Sequence, residues 1–152
     1  MLLRVFAVVA MVALSQSVNG RMPDVAGRWI CDTPPGSAGP APPVCEYQCT
    51  ITVDAKVLSV SYPTATPLTY NLDGSPTTKT GKLSGTSSVK SVSVLAVDRG
   101  TVLLTSTTTV GSATLVSKSK LSLRAAKLVI ETTQSGAGRG ATSRTFEYSK
   151  VK

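Results

Sequence analysis

The sequence predicts an all-β protein, a single antiparallel up-and-down meander of eight to nine strands that closes into a barrel. Turn signals rich in Gly, Asp and Ala recur between residues 54 and 140, and the segments between them are rich in Val, Thr, Leu, Ser and Ile, the composition of strands. Apolar residues do not recur with helical spacing over three turns. A meander of this length hides its two edge strands by closing on itself.

The first 20 residues have the layout of a secretory signal peptide. Arg4 supplies a positive charge, residues 5–14 form an unbroken apolar run, and polar residues follow up to Gly20. The run is shorter than the roughly 20 residues that span a bilayer. We therefore expect cleavage after Gly20, a single β-barrel domain over residues 21–152, export to the periplasm or the medium, and no transmembrane span. An uncleaved N-terminal anchor is the alternative.

The strand pattern is clearest in the second half of the chain. In residues 113–124 the odd positions are small or apolar and the even positions carry the charges, as in a sheet with one face in water. Asp73 and Gly74 indicate a two-residue hairpin turn. Residues 76–85 lack a strand pattern, and we interpret them as an irregular loop. The predicted strands lie at about 26–31, 44–53, 57–62, 68–72, 87–97, 101–110, 113–124, 127–134 and 141–149.

All three cysteines flank a proline-rich loop. Cys45 and Cys49 lie four residues apart on a predicted strand, which separates them by about 13 Å, whereas a disulfide needs Cα atoms within about 7 Å. These two cannot bond unless the strand is broken. Antiparallel pairing of the first two strands places Cys31 opposite Cys45, so we predict a Cys31–Cys45 disulfide and a buried free thiol at Cys49. A Cys31–Cys49 pairing is the alternative.

Five short segments carry a family resemblance through their order and spacing: residues 27–29 (Gly-Arg-Trp), 40–43, 70–74, 127–131 and 146–150. Together they resemble a family of small exported bacterial proteins of unknown function with a lipocalin-like domain. The resemblance implies an eight-stranded up-and-down barrel and brings no activity with it. In lipocalins an arginine of the last strand packs over a tryptophan of the first, which implies that Arg144 packs over Trp29. The cysteines depart from the family pattern.

Composition argues against several functions. The chain has no His, the residue most often used in acid–base catalysis, and its eight carboxylates are dispersed, mostly at turns. We therefore expect no enzyme activity, no metal site and no cofactor. A net charge of +8 favours anionic surfaces, but the basic residues are scattered and few aromatic residues remain for base stacking. We expect no specific nucleic-acid binding.

The remaining hypothesis is a non-catalytic barrel that binds one small apolar or amphipathic molecule in its interior. The alternative is a structural or interaction module of the cell envelope whose barrel is filled by its own side chains. Ser and Thr are frequent at residues 105–109, 117 and 119; facing inward they would leave a cavity, and facing outward they would cover a wet surface. The sequence does not indicate an oligomeric state. The candidate lining residues are Trp29, Tyr47, Tyr62, Tyr70, Leu121, Arg144 and Tyr148.

Overall fold

A computed structural model describes residues 21–33, 44–82 and 87–152 of the chain. The predicted signal peptide and most of the proline-rich loop lie outside these ranges. Within them the chain forms ten strands and no helix. The strands are β1 (Gly27–Cys31), β2 (Gln48–Val53), β3 (Val57–Ser61), β4 (Leu68–Asn71), β5 (Thr77–Lys82), β6 (Ser88–Asp98), β7 (Thr101–Val110), β8 (Ala113–Arg124), β9 (Lys127–Gly136) and β10 (Arg139–Lys150).

All ten strands belong to one antiparallel sheet in the order β4-β3-β2-β1-β10-β9-β8-β7-β6-β5. The prediction of an antiparallel up-and-down barrel is therefore confirmed, with ten strands in place of eight or nine. The first and last strands meet, because β1 pairs with β10 through Trp29 opposite Lys150 and Cys31 opposite Tyr148. Among the described residues, no helix has the length and apolarity that a membrane crossing requires.

The barrel is nearly closed, and its one unpaired junction in this sheet order lies between β4 and β5, which we call the seam. The two strands approach each other without a hydrogen-bonded ladder between them. Nζ of Lys79 on β5 donates a hydrogen bond to the carbonyl oxygen of Pro67, just before β4, at 2.5 Å. The seam therefore leaves two strand edges close together at the side of the barrel.

Strand β5 corrects the interpretation of residues 76–85 as an irregular loop. Its register against β6 runs from Thr77 opposite Ser93 to Lys82 opposite Ser88. The segment contains no large apolar residue, so its sequence lacks the apolar alternation that indicates a half-buried strand. Hydrogen bonding to the long strand β6 determines the conformation of β5. Because β5 lies at the edge of the sheet, it needs to bury few apolar side chains.

The cysteine pairing is a second correction. Cys45 and Cys49 form the disulfide, with Cα atoms 5.1 Å apart, and Cys31 is the free, buried cysteine. The predicted Cys31–Cys45 bridge was wrong because it assumed an extended strand from residue 44. Residues 44–47 form a turn instead, with Glu46 in the left-handed region at φ 48°, and this turn brings the two cysteines together.

The apolar core fills one end of the barrel interior, where the side chain of Trp29 on β1 is buried, and we call it the basal core. Trp29 and Tyr148 are its largest fully buried side chains. Both also satisfy their polar atoms: Nε1 of Trp29 donates to the carbonyl oxygen of Val25 at 2.8 Å, and Oη of Tyr148 donates to that of Glu46 at 2.8 Å. The other large members are Ile51, Leu58, Leu95, Leu121, Leu128 and Ile130.

Candidate functional site

The interior beyond the basal core holds a cavity of about 270 Å³, which we call the chamber. Strands β4 to β9 contribute to its wall, and most of the lining side chains carry a hydroxyl. Both edge strands of the seam take part, through Leu68, Thr69 and Tyr70 on β4 and through Thr77 and Lys79 on β5. The chamber is therefore a side pocket that reaches the seam as well as the barrel interior.

One continuous row of polar residues crosses five strands in register, and we call it the polar row. Ser117 on β8 lies opposite Gln134 on β9 and opposite Ser106 on β7. Ser106 in turn lies opposite Ser93 on β6, which lies opposite Thr77 on β5. All five line the chamber. Since side chains at paired positions share a face, the polar row is one band on the inner surface.

An apolar row crosses four of these strands, β6 to β9, four residues away from the polar row and at the top of the basal core. Leu121 on β8 lies opposite Ile130 and Val102, and Val102 lies opposite Val97. All four are buried. The change from packed apolar side chains to small polar ones creates the chamber, because Ser and Thr fill less of the barrel interior than Leu and Ile do.

Hydroxyl groups in and beside the chamber pair with each other across strands. Ser91 bonds Thr108 at 2.8 Å, Ser93 bonds Ser106 at 2.8 Å, and Ser119 bonds Thr132 at 2.9 Å. Each pair contains two O–H donors and uses one of them between its members. The second O–H in each pair is left to donate to another acceptor, so the wall is rich in donors.

Thr77 and Lys79 are the chamber residues with an unpartnered hydroxyl and with a charge, respectively. The hydroxyl oxygen of Thr77 is buried and has no hydrogen-bond partner, an arrangement that typically costs about 1–3 kcal/mol. Lys79 is the one charged side chain lining the chamber among the described residues. All eight acidic residues of the chain are described, and none of them lines the chamber. The chamber therefore carries a positive charge without a carboxylate.

The predicted lining residues do not gather in one place. Tyr70 lines the chamber, and burial raises its pKa to about 12. Leu121 belongs to the apolar row below. Tyr47 and Tyr62 are partly buried against the basal core; Tyr62 donates a hydrogen bond to the carbonyl oxygen of Val44, and burial raises its pKa. Of these four side chains, only that of Tyr70 lines the chamber.

Trp29 and Tyr148 belong to the basal core, where burial raises the pKa of Tyr148. The cation over Trp29 is Lys150, with Nζ 5.4 Å from the ring centroid. This corrects the expectation for Arg144, which lies six residues before Lys150 on β10 and opposite Thr132. The register of β1 against β10 decides which basic residue reaches the tryptophan.

Gly27, two residues before Trp29, leaves room for the Lys150 side chain. A Cβ at residue 27 would lie 2.4 Å from Cε of Lys150, and the backbone there has φ +140°. The missing side chain lets the Lys150 chain lie across β1 toward Trp29. A cation over an aromatic ring typically contributes about 0.5–2 kcal/mol, so this contact covers the base of the barrel and is remote from the chamber.

Sequence reasoning missed most of the chamber wall. Thr77 and Lys79 lie on the unrecognised strand β5, and Ser91 and Ser93 attracted no attention because β6 is otherwise rich in Val. A usable signal exists: Ser91 and Ser93 on β6 lie opposite Thr108 and Ser106 on β7, and Ser106 lies opposite Ser117 on β8. That coincidence becomes visible once the hairpin registers are known.

Comparisons of the chain with protein-family models, curated proteins and solved structures found no match. In the described part of the chain, no group of three or more His, Cys, Asp or Glu side chains is arranged to hold a metal ion. The chemistry of the chamber must therefore be argued from its own residues.

Proposed function

We propose that this protein is an exported, non-catalytic, lipocalin-like barrel that binds one small amphipathic molecule in the chamber. The observation that carries the proposal is the interior cavity of about 270 Å³, which has hydroxyls on its wall and apolar side chains such as Leu104 and Leu115 beside them. Ligand sites combine apolar walls with a few placed polar groups in this way.

Two further features support the lipocalin-like interpretation and export. The last strand pairs with the first and supplies a cation over Trp29, the arrangement that the family resemblance implies for an arginine. The Cys45–Cys49 disulfide is compatible with an oxidising compartment. Neither feature bears on the identity of the ligand.

The alternative, a self-filled envelope module, is favoured by one observation. Three hydroxyl pairs bond to each other across strands, so part of the polar wall is satisfied without a ligand. In that case the chamber would hold only water, and partners would bind the outer surface.

A chamber-filling variant tests the proposal. The chain over residues 21–152 is screened by thermal shift against small apolar and amphipathic molecules, and copurifying molecules are sought by native mass spectrometry. We expect at least one compound to raise Tm, and Ser106→Leu to abolish that shift because it occupies the chamber. Thr105→Leu, on the exposed outer face of the same strand, is the control and should keep the shift.

Two outcomes would count against ligand binding in the chamber. The first is a Tm shift that survives Ser106→Leu, which would place binding elsewhere. The second is the absence of both a copurifying molecule and any Tm shift across the panel, which would favour the self-filled module.

A further inference from the structure

The geometry points to a small carboxylic acid as the ligand, with its carboxylate held at the seam by Lys79 and the neighbouring hydroxyls. This inference rests on the proposed function and adds the charge, orientation and size of the bound molecule. It departs from a purely apolar ligand because the chamber holds a cation without a carboxylate and a buried hydroxyl without a hydrogen-bond partner.

The first argument is the balance of charge and hydrogen-bonding groups. Lys79 has three N–H donors, and one of them bonds the carbonyl oxygen of Pro67. Lys79 is partly buried, and no carboxylate is among the residues that line the chamber. A ligand carboxylate would supply the missing negative charge and accept charge-assisted hydrogen bonds, which are about twice as strong as neutral ones.

The second argument is the position of the hydroxyls around Lys79. Thr77 lies two residues before Lys79 on β5, on the same face and about 7 Å away along the strand. Ser91 lies directly opposite Lys79 on β6, where paired Cβ atoms are typically about 5 Å apart. Both residues line the chamber with Lys79, so each presents a hydroxyl on the wall where the carboxylate would bind. The buried, unpartnered hydroxyl of Thr77 would then donate to it.

The third argument concerns the rest of the ligand. Away from Lys79 the chamber offers Leu68, Tyr70 and Leu104, so the body of the molecule would meet apolar surface while its acid group stays at the seam. The volume of 270 Å³ lies near the lower end of the roughly 300–1,000 Å³ typical of ligand pockets. The chamber therefore suits a small acid with a single ring or a chain of about the length of octanoate.

The experiment compares octanoate with 1-octanol, which share a chain and differ in charge, by titration calorimetry at pH 7. Wild-type protein should bind octanoate about tenfold or more tightly than 1-octanol. Lys79→Met keeps the aliphatic stem and removes the charge, and it should abolish this preference while leaving 1-octanol affinity within about threefold. Lys90→Met, on the exposed outer face of β6, is the matched control and should retain the full preference.

The outcomes separate this inference from the proposed function. If both probes bind, Ser106→Leu blocks both, and octanoate has no advantage or keeps its advantage in Lys79→Met, the carboxylate inference is overturned while chamber binding stands. If neither probe binds the wild-type protein, the inference is overturned as well, and the chamber-binding function loses its support from amphipathic probes of this size.

Discussion

The two halves of the barrel interior share strands β6 to β9 and have opposite chemistry. On β8, Leu121 is fully buried in the basal core, whereas Ser117, four residues earlier on the same inner face, lines the chamber. On β7, Val102 and Ser106 show the same change. The inward–outward alternation continues without a break in both halves. The comparison teaches that the register between β7 and β8 is kept along the full length of both strands, while close packing of their inward side chains is confined to the basal core.

Truncating one side chain in each half tests most sharply whether the basal core is packed and the chamber is not. Leu121→Ala removes a fully buried side chain and should lower the free energy of unfolding by about 2–5 kcal/mol. Ser117→Ala removes a hydroxyl in the chamber and should change it by less than about 0.5 kcal/mol. Urea denaturation of both variants measures the difference. Equal losses would mean that the interior is packed uniformly.

The disulfide turn, whose two cysteines are buried in the apolar core, should contribute the next largest effect. Replacing both Cys45 and Cys49 by Ser should lower stability by about 2 kcal/mol, since the bridge closes a short loop. Peptide mapping of the unreduced protein should find Cys45 linked to Cys49, and Cys31 should be alkylated only after unfolding because it is buried. A Cys31–Cys45 linkage in native protein would refute the turn at residues 44–47.

Tyr70 lies at the border between the halves and should make the protein sensitive to alkaline pH. Its pKa is raised to about 12 in the folded state, above the ordinary value of about 10 expected after unfolding. The stability that depends on the neutral phenol is therefore fully present below pH 10 and is lost as the pH rises from 10 to 12. At pH 11 the loss in the free energy of unfolding is about 1 kcal/mol. Tyr70→Phe should lose less stability than wild type between pH 9 and pH 11. Equal losses in chemical denaturation would contradict the burial of this phenol.

The smallest expected effect concerns the outer cover of the basal core. Lys150→Met keeps the chain that lies over Gly27 and removes the charge above Trp29, so it should cost about 0.5–1 kcal/mol. Lys90→Met, remote from any described aromatic contact, should cost less. Thermal unfolding of the two variants provides the test, and an indistinguishable Tm would show that the cation adds nothing beyond packing.

The sequence predicts most of the strands because their inner faces alternate with polar residues over long stretches. Residues 113–124 show this clearly, and the predicted strand matches β8 in both bounds. Strand β5 escaped prediction because its Thr, Lys and Gly residues bury little of their own surface. We predicted that the first and last strands meet because a meander must hide its edge strands. In the structure β1 pairs with β10, and the two edges that stay unpaired are those of β4 and β5 at the seam.

The candidate site was harder to predict because it depends on register between strands. The pattern of β8 alone puts Ser117 on the same face as Leu121, but whether Ser117 meets Ser106 depends on the pairing of β7 with β8. The cysteine pairing depended on one backbone feature, the left-handed conformation of Glu46, which Glu rarely adopts. The choice between Arg144 and Lys150 over Trp29 likewise required the pairing of β1 with β10.

Thiol labelling of the folded protein tests the division of the barrel interior most directly. Cysteine is introduced at residue 117 or residue 121, in a Cys31→Ser background that keeps the Cys45–Cys49 disulfide, and the rate of reaction with a small thiol reagent is measured. Ser117→Cys should react at least about 100-fold faster than Leu121→Cys, because the chamber is accessible through the seam and the basal core is packed. Comparable rates at the two positions would contradict an open chamber above a packed base.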